Sequence, residues 1–256
     1  MALKQYTIDG EKMWLDKDLP GISDELVRKG KRELCFMEIL RDECAADVGL
    51  DVGANIGYTT IPIARRCKKV YAFEPDKRSR KLLRKNAPSN VVVEKSAVSD
   101  ANGSRKFSMS KKPNQSGFGT KGKGVLVETI TLDAYFRRIK TPESLFLKCD
   151  IEGHEIQMIK GFQKHLRTIP HVKLLMELHC KNYDDIFGWL RANGFDMKYI
   201  VNAKGMMGRF SDLGVQCVKM FEGYNRAIWW GDQELDKICS KKIDGKKMVR
   251  SVLWVK

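Results

Sequence analysis

The sequence predicts an α/β fold built on a doubly wound, mostly parallel sheet with helices on both faces. Two observations carry the prediction. Short apolar runs (VGLDV, VYAFE, LFLKCD, KLLMELH) recur between helix-like stretches, and the first of them passes through a glycine turn straight into a helix. Strands that are apolar along their whole length are strands buried on both faces, and strand–helix alternation makes the sheet parallel.

Residues 24 to 45 carry Leu34, Phe36, Met37, Ile39 and Leu40 at helical spacing after Ser23, a plausible N-cap, and read as a lead-in helix. VGLDV (48 to 52) is a buried strand that leads through GANIG into the helix TTIPIARRC. VYAFE (70 to 74) is the second strand, followed by a basic helix ending at Asn86, and VVVEKSAV (91 to 98) reads as a third strand. The turn residues Asp100-Ala-Asn-Gly reverse the chain into RKFSM, and VLVETITLDAYF moves from strand alternation to a helix starting at Thr131 or Asp133. LFLKCD (145 to 150) and KLLMELH (173 to 179) are further strands, each followed by a helix, EIQMIKGFQKHL and DDIFGWLRANGF, the latter closed by Gly194. The tail beyond about 200 carries no such pattern. The expected organisation is one domain: a helical lead-in over 1–45, a core over 46–200, and an extension of the same domain over 201–256 with a basic end, KKIDGKKMVR.

Composition bounds the function. No apolar run approaches the roughly 20 residues that span a bilayer, and MALKQYTIDGEKMW lacks the unbroken apolar stretch of a secretory signal. The seven cysteines are scattered with no CxxC pair, which argues against a disulfide framework or a zinc knuckle. A cytoplasmic location is expected. The formal net charge of +15 invites an anionic partner. Between Arg105 and Lys123 stand six cations and no acid in a Gly/Ser/Asn-rich stretch that reads as a mobile basic loop. Lys77, Arg78, Arg80, Lys81, Arg84 and Lys85 form a second cluster that reads as an outer helix face.

In an open parallel sheet, ligands collect at the carboxyl ends of the strands. Those ends are Asp51 to Tyr58, Glu74 to Asp76, Ser96 to Val98, Asp150 to Glu155 and Glu177 to His179. In GLDVGANIGYTT the glycines do not follow the G-x-G-x-x-G dinucleotide spacing, because Gly53 and Gly57 bracket Asn55 and Tyr58 stands at the third glycine position. An acid at the mouth of the loop, Asp51, suits a cationic amine better than a phosphate, and Glu74 ends the next strand, where a carboxylate can accept both ribose hydroxyls. Adenosine and an ammonium without phosphate point to S-adenosylmethionine.

These residues carry a resemblance. D-x-G-A-N-x-G-Y (Asp51 to Tyr58), F-E-P (Phe73 to Pro75), T-L-D (Thr131 to Asp133), K-C-D-I-E-G-H-E (Lys148 to Glu155) with Gly161, and M-E-L-H (Met176 to His179) together resemble the FkbM family of S-adenosylmethionine-dependent methyltransferases. The likeness covers roughly residues 20 to 200, and the D-I-E-G-x-E element is its most specific part. It implies the Rossmann-like class I methyltransferase fold and O-methylation, often of sugars or natural products. By position it implies that Asp51, Gly53, Asn55 and Gly57 line the methionine end of the cofactor and that Glu74 binds the ribose. It places Asp76 nearby and Ser96, Ala97 and Val98 at the adenine edge; Ala97 and Val98 also read as packing residues.

Methyl transfer to an alcohol benefits from a base. The candidates are Asp150, Glu152, His154, Glu155, Glu177 and His179, with Asp150, Glu152, Glu177 and His179 taken as the catalytic set and Asp150 also counted among the cofactor-binding residues, its carboxylate facing the crevice beside the methyl group. Glu177 and His179 share one strand face and read either as base and orienter or as two metal ligands; no metal site is assigned. The expected acceptor is a small molecule or glycan hydroxyl, with an anionic acceptor accounting for the charge. RNA is the second choice, resting on the basic loop 105–123 and the basic tail.

Overall fold

The computed structural model describes residues 3–119, 122–177, 184–203, 215–220, 224–229, 242–243, 246–247 and 249–256. The chain opens with a hairpin of β1 (Leu3–Ile8) and β2 (Glu11–Asp16), then α1 (Ile22–Lys29) and α2 (Leu34–Glu43). The first half of the core comprises β3 (Ala46–Val52), α3 (Thr60–Arg66), β4 (Cys67–Phe73), α4 (Lys77–Asn86), β5 (Val91–Glu94) and β6 (Ala97–Val98). A small layer follows, with β7 (Gly103–Met109) and β8 (Lys123–Ile130), then α5 (Leu132–Phe136). The second half comprises β9 (Ser144–Cys149), α6 (Glu155–Lys160), α7 (Gln163–Thr168), β10 (His171–Glu177), α8 (Asp184–Ala192) and β11 (Asp196–Ala203). The described tail contains β12 (Val215–Met220), β13 (Tyr224–Trp229), β14 (Lys242–Ile243), β15 (Lys246–Lys247) and β16 (Val249–Val255).

The main sheet runs β12-β13-β11-β16-β10-β9-β3-β4-β5. From β10 to β5 every pairing is parallel, whereas β16 lies antiparallel between β10 and β11. Alternate residues of the central strands enter opposite cores. Leu145, Leu147 and Cys149 pack on one side and Phe146 on the other; Leu174 and Met176 oppose Leu175; Trp254 opposes Leu253. Helices α5 to α8 cover the first face and α1 to α3 the second, as a doubly wound sheet requires. No helix among the described residues is long and apolar enough to cross a membrane.

Several elements depart from the sequence expectations. The lead-in is not one helix: Gly30 adopts φ 67° and ends α1, and a β-hairpin precedes both helices. Ser23 does not cap α1; its buried hydroxyl exchanges hydrogen bonds with the backbone of Asp16, and Gly21 holds the cap position. VVVEKSAV divides between sheets, because β5 pairs with β4 while β6 pairs with β8. The stretch 105–123 is not simply a loop, since both its ends are strands paired in register from Gly103↔Thr129 to Met109↔Lys123. The stretch beyond 200, in which the sequence shows no strand pattern, supplies β16 between β10 and β11 of the main sheet.

Candidate active site

Strand β3 is the point at which the parallel sheet reverses its order, with β4 on one side and β9 on the other, and the crevice above such a point is where ligands bind. A cleft of about 470 Å³ lies there. Its sheet side is formed by Gly53, Asn55, Glu74, Asp150, Glu152 and Glu177; Ala97, Val98 and Phe73 add an apolar edge. The rest of the wall comes from α1 and the turn before α2 (Glu25, Arg28, Arg32) and from the tip between β7 and β8 (Lys112 to Ser116, and Phe118).

The loop after β3 is built around close approach. Gly53 has φ +81°, and a Cβ there would stand 1.9 Å from the Asp150 carbonyl oxygen, so only glycine lets the β3 and β9 ends converge. Asn55 is itself left-handed, at φ 50°, which Asn tolerates better than most residues. Its backbone N–H donates to Glu74 Oε2 at 2.9 Å, while the N–H of Asp76 donates to Glu74 Oε1 at 2.7 Å. Burial pushes the Glu74 carboxyl up to about 7, and the Asp76 charge adds to this against the pull of the two N–H groups and Lys148.

Four expected cofactor residues do not line the cleft. Parallel register sets Asp51 beside Lys148, and the two pair at 3.2 Å, both buried. Thr59 and Thr60 hydroxyls donate to Asp51 Oδ2 at 2.9 and 2.7 Å. Lys148 Nζ also donates to the Gly53 carbonyl at 2.8 Å. Burial works against the charge of Lys148, but Asp51 and then Asp150 outweigh it and hold the ammonium above its ordinary range. Asp51 therefore meets a cation of the chain itself and ties the glycine loop to β9. Gly57 packs under α4, where its Cβ position lies 3.1 Å from Leu83. Asp76 caps α4 by accepting from the Arg78 N–H at 2.8 Å and pairs with the Arg78 guanidinium at 2.6 Å. Ser96 lies between β5 and β6, outside the cleft.

Of the expected catalytic set, Asp150, Glu152 and Glu177 share the cleft, and His179 lies outside the described residues. Glu155 is fully buried and accepts from the Gly153 N–H at 3.0 Å, closing the turn instead of facing the cleft. His154 does line the cleft; its Nε2 is 2.9 Å from Ser99 Oγ, and its ring packs on Phe118 at 4.3 Å. Among the described residues no three His, Cys, Asp or Glu side chains gather as metal ligands. Sequence reasoning missed Lys148 as a structural cation, although a lysine inside the otherwise buried run LFLKCD signals a paired charge. It also missed the wall from α1 and the hairpin tip, for which the sequence carries no local signal.

An open sheet with β4 and β5 on one side of β3, β9 and β10 on the other, and an antiparallel strand inserted before β11 defines a class I S-adenosylmethionine-dependent methyltransferase. The residues fit that cofactor: a buried carboxyl at the end of β4, a glycine loop after β3 and an apolar edge at β6 meet in one cleft. The profile of the methyltransferase FkbM domain matches residues 51–197, and the chain belongs to that family. Hexuronic acid methyltransferase AglP of Haloferax volcanii is 29% identical over 181 residues, covering 69% of this chain and 70% of that protein. A probable ribosomal RNA small subunit methyltransferase A of Pyrobaculum aerophilum is 42% identical over 73 residues, covering 25% of this chain and 32% of that protein. The crystal structure of an FkbM methyltransferase from Methylobacillus flagellatus aligns with 73% of this chain at 16% identity and a TM-score of 0.46; the chain spans 44% of its length.

Proposed function

We propose that the enzyme methylates an oxygen of a sugar or glycan that carries an acidic group. The observation that carries this reading is Lys112, which the hairpin tip adds to a cleft whose sheet side carries the strand-end carboxylates; Arg28 and Arg32 on the neighbouring wall pair with Asp24, Glu25 and Glu33. A sugar acid matches both sides, and the hexuronic acid methyltransferase named above supports this class of acceptor.

S-adenosylmethionine supplies an electrophilic methyl group when bound. In this reading Glu74 accepts the ribose hydroxyls, the backbone around Gly53 and Asn55 passes beneath the methionine end, and Ala97 and Val98 flank the adenine. Asp51 and Asp76 act indirectly, the first by holding Lys148 and the glycine loop, the second by presenting its N–H to Glu74. Asp150, Glu152 and Glu177 stabilise positive charge as it moves onto the attacking oxygen. Lys112 holds the acidic group of the acceptor.

A second reading, RNA methylation, has its own observation. The basic helix α4 joins the basic hairpin through an Arg78 Nη2 hydrogen bond to the Ser110 carbonyl at 2.7 Å, so the two clusters adjoin. The deciding experiment compares p-nitrophenyl glucuronide with p-nitrophenyl glucoside as methyl acceptors. Turnover at least tenfold greater on the glucuronide is expected, and equal turnover on the two would contradict an acidic acceptor.

A further inference from the structure

We infer that His154 Nδ1 takes the proton of the acceptor hydroxyl as the methyl group is transferred to its oxygen. This rests on the sugar-acid reading and names its reacting atom.

The hydrogen bond from Ser99 to Asp100 assigns the histidine tautomer in this proposal. Ser99 Oγ donates to the Asp100 carboxylate at 3.1 Å; with its single proton assigned there, it accepts from His154 Nε2 at 2.9 Å. Nε2 therefore carries the ring proton, and Nδ1 carries the lone pair. Nδ1 is not used by the helix that His154 precedes, because α6 has no side-chain cap hydrogen bond. The ring is held in the cleft wall by Phe118. Asp100 is tied in turn to Arg105, and its side chain reaches the surface with 32% exposure. His154, Ser99 and Asp100 thus form a line from the cleft to solvent.

A carboxylate acceptor does not suit this place. It would face Asp150, Glu152 and Glu177 as like charges, meet a lone pair at Nδ1, and bring no proton to donate. A hydroxyl suits all four groups. In the transfer the hydroxyl oxygen forms a bond to the methyl carbon, and the carbon–sulfur bond breaks with its electron pair left on sulfur. The hydroxyl proton passes to Nδ1 while the Nε2 proton moves to Ser99 and the Ser99 proton to Asp100. Burial, and next Arg105, push the imidazole down to about 4, so the ring is neutral and ready to accept near neutral pH. Low basicity is no obstacle, because the oxygen becomes strongly acidic as its bond to carbon forms.

The test uses the full chain, methyl-labelled S-adenosylmethionine and whichever cell-extract fraction accepts label. Label that survives mild alkali is expected, as an ether requires; label released as methanol marks an ester and overturns the inference whatever any variant does. His154→Ala should lower turnover by about 100-fold, a typical size for proton-transfer catalysis, with affinity for S-adenosylhomocysteine within twofold of wild type. Added imidazole should restore part of that loss, which a merely structural role would not allow. Ser99→Ala, which leaves the cleft wall in place, should cost about 10-fold, a small share of that effect. Near-normal turnover of His154→Ala overturns the assignment. An alkali-stable label that depends on His154 but is recovered from RNA as 2′-O-methyl nucleoside refutes the sugar reading and leaves the hydroxyl assignment standing, whereas label on a base nitrogen or carbon overturns both.

Discussion

Glu74 offers a quantitative test of the cofactor floor, because its burial leaves a pH signature in the folded chain without ligand. Its carboxyl moves from a reference value of 4.5 to about 7, with burial as the largest cause. The folded value lies above the unfolded one, so the native chain binds this proton more tightly. The associated stability is fully present below pH 4.5 and is lost as pH rises through 7. The shift corresponds to about 3 kcal/mol in all, of which about 2–3 kcal/mol falls between about pH 5 and pH 8. Glu74→Gln cannot titrate. It forfeits one of the two backbone hydrogen bonds, a cost of about 1–3 kcal/mol that does not vary with pH. The unfolding free energy of the variant relative to wild type should therefore move in the variant's favour by about 2–3 kcal/mol between those two pH values. Urea unfolding of the ligand-free chain at both pH values measures it. Parallel pH profiles for the two proteins would refute the buried charge at the end of β4.

Two further predictions concern the strand ends. Lys148→Met leaves the buried Asp51 without its cation and should destabilise the fold by about 3–5 kcal/mol, largely restored in the double variant with Asp51→Asn; a loss under about 1 kcal/mol in thermal unfolding would deny the pair its structural role. Asp150→Asn should reduce turnover by about 100-fold or more while the melting temperature stays put, and near-normal turnover would remove Asp150 from the reacting centre.

The central strands were legible because burial on both faces makes them apolar along their length, as in LFLKC and KLLME. The glycine turn was legible as a strand-to-helix turn, but its close approach to the Asp150 carbonyl was not, because that contact arises only where β3 and β9 pair. The role of Asp51 was not. A carboxylate at a strand end looks the same whether it faces a ligand or a lysine, and the register that sets Lys148 beside it is a property of the assembled sheet. The N-terminal hairpin had a local signal, since Asp9-Gly10 adopts the two positive φ angles of a tight hairpin turn, yet the helical pattern after it dominates the reading. Division of VVVEKSAV between two sheets, and the insertion of β16 beside β10, depend on partners remote in sequence. His154 stood among several candidate bases, and only the contact with Ser99 distinguishes it.

The most direct measurement is transfer of labelled methyl from S-adenosylmethionine into a cell extract separated into glycan, small-molecule and RNA fractions. Label in acidic glycan or sugar-acid material, resistant to nuclease, is the expected result. Label confined to RNA and abolished by nuclease would contradict it and make the joined basic surface of α4 and the β7–β8 hairpin the site of recognition.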